Sequence, residues 1–96
     1  MAYKFESITV ADTAIGLTAA NMSTTPANAG LQFNNAVCIL ETAQIRFRVD
    51  GVAPTSAEGH IANIDDVIEL DRHEAPLFKA IRTGSTSGVL KVSYEV

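Results

Sequence analysis

The chain has 96 residues, with seven Lys and Arg against eleven Asp and Glu, a net charge of −4 and one cysteine. That length sets one domain with a modest core, because a chain this short buries roughly two-thirds or less of its unfolded surface. The acidic balance excludes the basic patch that nucleic acid requires, and a lone Cys38 excludes an internal disulfide.

Tyr3 to Val10 is rich in aromatic and β-branched residues and ends at Ala11-Asp12, which predicts a first strand. Ile15 and Leu17, on either side of Gly16, offer a short second one. Residues 19–30 read A-A-N-M-S-T-T-P-A-N-A-G, small and polar with one proline, the chemistry of an exposed loop. Val37 to Leu40 is continuously apolar, which predicts a strand covered on both faces, with Cys38 in it as a small buried hydrophobe. Thr42 to Asp50 is the cleanest alternation in the chain: Ala43, Ile45, Phe47 and Val49 are apolar, while Gln44, Arg46, Arg48 and Asp50 are polar. The first set is predicted to form the centre of a core, with Arg46 and Arg48 facing outward.

Residues 51–60 contain Pro54 and a run of small residues, and read as a second exposed loop. Ile61, Ile64, Val67, Ile68 and Leu70 fit strands better than a helix because the span is short and Pro76 follows. Asn63-Ile64-Asp65-Asp66 is predicted to be the turn joining two of them, since aspartate side chains bond nearby backbone amides. Leu77 to Arg82 reads as a further strand and Thr83 to Gly88 as a hairpin turn. Val89 to Val96 alternates again, with Leu90, Val92, Tyr94 and Val96 on one face. About seven or eight short strands, with turn signals about every 8–12 residues, predict an all-β chain. The architecture expected over residues 1–96 is a single small antiparallel β-sandwich or jelly-roll-like barrel.

Catalytic and metal-binding chemistry finds little support in these residues. His60 and His73 have carboxylates near them (Glu58, Asp71, Glu74), yet neither H-x-x-x-H nor C-x-x-C is present, and both histidines are expected at the surface. The acidic residues do not follow the alternating calcium-loop pattern. Gly84-Ser85-Thr86-Ser87-Gly88 lacks the lysine and the following helix of a phosphate loop, and there is no G-x-S-x-G elbow. No cofactor and no metal are expected, and the chain is not expected to be an enzyme. The opening M-A-Y-K-F-E lacks the apolar stretch of a secretion signal, and no apolar run reaches the roughly 18 residues that span a bilayer. Synthesis in a reducing cytoplasm is the expectation. The charged fraction of 19% is below the roughly 25% usual for soluble domains, which suits a surface that faces a partner.

Two segments, E-T-A-Q-I-R-F-R-V-D-G-V-A-P-T-S-A-E-G-H (residues 41–60) and F-K-A-I-R-T-G-S-T-S-G-V-L-K-V-S-Y-E-V (residues 78–96), carry a likeness that extends from about Cys38 to Val96. Here the chain resembles small structural proteins encoded among the head and tail genes of tailed bacteriophages. The resemblance implies a virion component, foremost a decoration (cement) subunit that binds and stabilises the major capsid protein shell. A homo-oligomer is expected, with a trimer favoured, and neither nucleic acid nor membrane as partner. A tail- or neck-associated subunit is the alternative within that class. A module that binds a host-surface glycan or protein is the alternative outside it, and the lack of tryptophan counts against a glycan. The residues expected to touch a partner are Arg46 and Arg48 on the strand, and Pro54, Thr55, Ser56, Glu58 and His60 in the loop that follows. The first loop and the N-terminal strand are the further candidates.

Overall fold

The computed structural model describes residues 2–22 and 33–96, which form seven strands in two antiparallel sheets. The strands are β1 (Ala2–Val10), β2 (Asn35–Glu41), β3 (Ile45–Arg48), β4 (His60–Ala62), β5 (Val67–Asp71), β6 (Lys79–Arg82) and β7 (Gly88–Glu95). The larger sheet has the order β1-β7-β2-β5 and the smaller the order β4-β3-β6. Ala19–Met22 is a short 3-10 turn, and the rest of the loop expected at 19–30 lies outside the described residues. Ile15 does not nucleate a strand of its own. It makes an isolated bridge to Ala80, with amide and carbonyl bonds of 2.9 Å each way.

The core lies between the sheets. Alternation aims Ile8 and Val10 of β1, Ala36, Cys38 and Leu40 of β2, Ile68 and Leu70 of β5, and Leu90, Val92 and Tyr94 of β7 at the smaller sheet. That sheet answers with Ile45, Ala62 and Ala80, and Phe78, just before β6, is buried in the same cluster. Burial raises the Cys38 thiol to about 12, and the thiolate is the reactive form. The native protein at pH 8 is therefore expected to leave a chromogenic disulfide reagent unconsumed, and urea is expected to release one thiol equivalent. Fast labelling without denaturant would contradict this packing.

Several expectations are corrected by the sheet arrangement. β2 is covered on one face only: Ala36, Cys38 and Leu40 are inward, whereas Ile39 is 41% exposed. The alternating run 42–50 pairs only at Ile45–Arg48, because Thr42 takes φ 80° and Gly51 φ 82°, and these bends end the extended segment at both sides. Within it Ile45 is fully buried, while Phe47 and Val49 pack only partly against the core. Ala75–Leu77 is a 3-10 turn with Pro76 in its first turn, so the strand expected from Leu77 begins at Lys79. Thr83–Gly88 is not a hairpin turn, since β6 and β7 belong to different sheets and it carries the chain from one to the other. Of consecutive strands only β3 and β4 pair.

The turn at 63–66 does join two strands, as expected. The Asp66 amide donates to the Asn63 carbonyl at 3.0 Å, the Asn63 amide donates to Asp66 Oδ2 at 2.8 Å, and Asp65 supplies the left-handed residue at φ 75°.

Candidate functional site

The loop between β3 and β4 is built around an arginine. Arg46, half-buried on β3, donates from Nε to the Ser56 carbonyl (3.1 Å) and from Nη1 to the Gly59 carbonyl (2.8 Å), which folds the loop back over its own strand. Beyond this anchor Thr55 closes a small turn: its Oγ1 accepts from the amides of Ala57 (3.2 Å) and Glu58 (3.0 Å), and its amide donates to the Glu58 carbonyl (3.0 Å). Pro54 is buried beneath this turn, while Thr55, Ser56, Glu58 and His60 are exposed. Truncating Arg46 to alanine is expected to cost about 1.5–3 kcal/mol, the range for hydrogen bonds to a charged group. It should also speed amide exchange at residues 55–59, and unchanged protection there would show that the anchor is dispensable.

Arg48 faces outward, as expected, and its charge is paired with an exposed neighbour. Its Nε donates to Asp50 Oδ1 at 3.1 Å and its Nη2 to Asp50 Oδ2, and Asp50 Oδ1 also accepts from the Val52 amide at 3.3 Å. The hydrogen bond from Arg48 holds the Asp50 carboxyl below its ordinary value of 3.8. A lowered folded-state value means that this stabilisation is present above the ordinary carboxylate value and is lost as pH falls through the depressed one. A carboxyl-resolved NMR titration is expected to find Asp50 ionising below 3.8. Arg48→Met should return it to the ordinary range. A normal wild-type titration would refute the clamp.

Between these groups lies an open cleft of about 440 Å³ lined by Arg48, Val49, Asp50, Glu58, Gly59 and His60. The His60 ring leans on Phe47 at 5.5 Å between centroids, and Phe47 in turn meets Phe78 at 5.7 Å. The structure thus brings Arg48, Glu58 and His60 to one cleft and sets Thr55 and Ser56 on the turn above it. Arg46 is placed behind the loop and Pro54 under it. The cleft lining has no hydroxyl or thiol nucleophile, and among the described residues no three His, Cys, Asp or Glu side chains converge as metal ligands. Arg48 and Asp50 in its lining are paired with each other. His73, also exposed, lies in the turn after β5, where its amide donates to Asp71 Oδ1 at 2.8 Å.

The outer face of the larger sheet is a second surface, of which only the N-terminal strand is among the partner-contact candidates named from the sequence. Phe5, Ile39 and Val67 are 59%, 41% and 56% exposed, and Ile39 stands directly opposite Val67 in the β2–β5 register. The signal lay in the parity of the strands. Ile8 and Val10 inward on β1 force Phe5 outward, and Ile68 and Leu70 inward on β5 force Val67 outward. The same parity turns Glu6 inward, where it accepts hydrogen bonds from Tyr94 (2.6 Å), Thr18 (2.7 Å) and Asn21 (2.5 Å). No helix among the described residues is long and apolar enough to cross a membrane.

No family model, no curated protein and no solved structure matches the chain.

Proposed function

We propose that this chain is a non-enzymatic virion subunit of a tailed bacteriophage, a decoration protein that binds and stabilises the assembled shell of major capsid protein. The observation that carries the reading is the amount of large apolar surface left open on a chain poor in charge. Phe5, Ile39 and Val67 on the outer face of the larger sheet, and Ile61 and Ile64 on β4 and in the turn after it, are each between 41% and 59% exposed. Of these, Ile39 and Val67 stand directly opposite each other, and an exposed apolar patch on a small domain marks an interaction surface. The likeness of residues 41–60 and 78–96 to phage head and tail proteins supplies the class of partner. Such a subunit works as a small homo-oligomer, with a trimer favoured, made in the host cytoplasm and resident on the virion. Oligomerisation adds buried area to a core that is limited by length.

A ligand that prefers the assembled shell stabilises it by mass action, by about 2.7 kcal/mol per site at 100 times the dissociation constant. Capsids assembled without the protein are therefore expected to bind it on mixing, to co-sediment with it, and to resist heat or chelator better afterwards. Absence of co-sedimentation would overturn the proposal.

A further inference from the structure

We infer that the outer face of the larger sheet, rather than the loop at 51–60, is the surface that seats on the partner, and that the partner presents an apolar patch rimmed by basic residues. For the partner's identity this rests on the shell-binding reading; for the face it rests on strand register alone. Antiparallel pairing places Phe5, Ser93, Val37 and Glu69 in one row across the sheet, and Ser7, Lys91, Ile39 and Val67 in the next. Val89 and Glu41 stand side by side in the row beyond. The rows bring Val37, Ile39 and Val67 together as an apolar centre on β2 and β5, with Ser93 and Lys91 of β7 between it and Phe5, because side chains at alternate positions share a face and directly opposed residues touch.

Four carboxylates rim that centre: Glu41, Glu69, Asp71 and Glu95. Among the described residues of these strands the cation in these rows is Lys91, whose Nζ donates to Ser7 Oγ at 2.9 Å. Four negative charges and one positive leave this face at −3, out of −4 for the whole chain, so everything else sums to −1. Among the described residues none of these carboxylates lies within ion-pairing distance of a cation. Asp71 accepts from the His73 and Glu74 amides and Glu95 from Asn35 Nδ2, so Glu41 and Glu69 are the rim carboxylates that no hydrogen bond holds among the described residues. The cations beside the loop are engaged, Arg48 by Asp50 and Arg46 by loop carbonyls. A second copy is a poor occupant, since face-to-face pairing would bring −3 against −3, and opposed like charges penalise a contact. Anionic lipid and nucleic acid are disfavoured by the same sign. What complements an apolar centre with an acidic rim is a protein surface with an apolar centre and a basic rim.

Two variants separate the contributions. Glu41→Lys with Glu69→Lys turns the face from −3 to +1 without touching the core, and Ile39→Thr with Val67→Thr removes apolar area while keeping β-branched side chains. Each is expected to weaken binding to capsids at least tenfold, while Glu58→Lys in the loop is expected to leave it within twofold. Wild-type affinity is expected to fall as salt is raised. Capsid binding that survives both face variants and is lost with Glu58→Lys overturns the inference and leaves the shell-binding reading intact. A second arm needs no capsid: an amphipathic helical peptide of Leu and Lys is titrated into the labelled protein. Amide shifts are expected to concentrate at Val37, Ile39, Val67 and Val89, and a shift map centred on residues 51–60 would overturn the inference. If the peptide maps to the sheet face and capsids fail to bind the protein, the shell reading falls while the face stands.

Discussion

Replacing Tyr94 by alanine is expected to lower the unfolding free energy by about 3–5 kcal/mol, the range for removing a large buried aromatic side chain. Tyr94 is fully buried on β7, paired to Lys4 of β1 on one side and to Ala36 of β2 on the other. Its ring meets Phe33 at 6.0 Å between centroids. The phenol donates to Glu6 Oε2 at 2.6 Å and accepts from the Thr18 amide at 3.3 Å, so it ties the segment after β1 to the sheet. Burial and the adjacent Glu6 carboxylate push the phenol well above its ordinary range, so it stays a donor at any working pH. Tyr94→Phe keeps the ring and removes only the hydroxyl. That change is expected to cost about 1–3 kcal/mol, because a part-buried carboxylate loses a donor and a backbone amide loses its acceptor. Urea unfolding at pH 7 measures both, with an unchanged slope expected for each. A loss below about 1 kcal/mol for the alanine variant would contradict the packing.

Gly88→Ala is expected to destabilise by about 1–3 kcal/mol, the usual cost of forcing extra volume into a packed site. A Cβ at this position would lie 2.7 Å from Ile45 Cγ2, 2.9 Å from the Ala43 carbonyl oxygen and 3.2 Å from Leu40 Cδ1. One of these neighbours is backbone, which cannot turn aside as a side-chain tip can. Gly88 opens β7 where the chain arrives from the other sheet, and the start of β3 passes close by. Thermal unfolding is expected to shift down by about 4–8 °C for each kcal/mol in a domain of this size. Gly84→Ala is the control, since nothing lies within 4 Å of a Cβ there, and its effect is expected to stay within about 0.5 kcal/mol. Equal melting temperatures for the two variants would show that the close approach at Gly88 is relaxed in solution.

Both sites show why part of the molecule was readable from sequence and part was not. β7 was read almost to its ends, because Leu90, Val92 and Tyr94 alternate cleanly with Lys91, Ser93 and Glu95 and the pattern is local. The turn at 63–66 was equally plain, since Asp and Asn bond the backbone within a few residues. By contrast, the exit at Thr83–Gly88 has the composition of a hairpin turn, and composition carries no information about which sheet receives the next strand. For the same reason Val37–Leu40 read as covered on both faces. Four apolar residues in a row do not say which face meets the smaller sheet, and Ile39 is left open.

The candidate site divides the same way. Arg46 and Arg48 were legible as the polar face of an alternating strand, but their hydrogen bonds to the loop carbonyls and to Asp50 exist only once the loop has folded back. The acidic rim around Ile39 and Val67 was invisible for a stronger reason: Glu41, Glu69, Asp71 and Glu95 come from three strands that are distant in sequence and adjacent only in the sheet. The amino-acid sequence by itself determined an all-β chain with alternating strands, a buried thiol at Cys38 and a net negative charge, because periodicity, residue volume and charge are local properties. Tertiary structure alone decided which strands are neighbours, which face of each is left open and where the charge collects. Those depend on pairing between distant segments, whose register one strand does not carry.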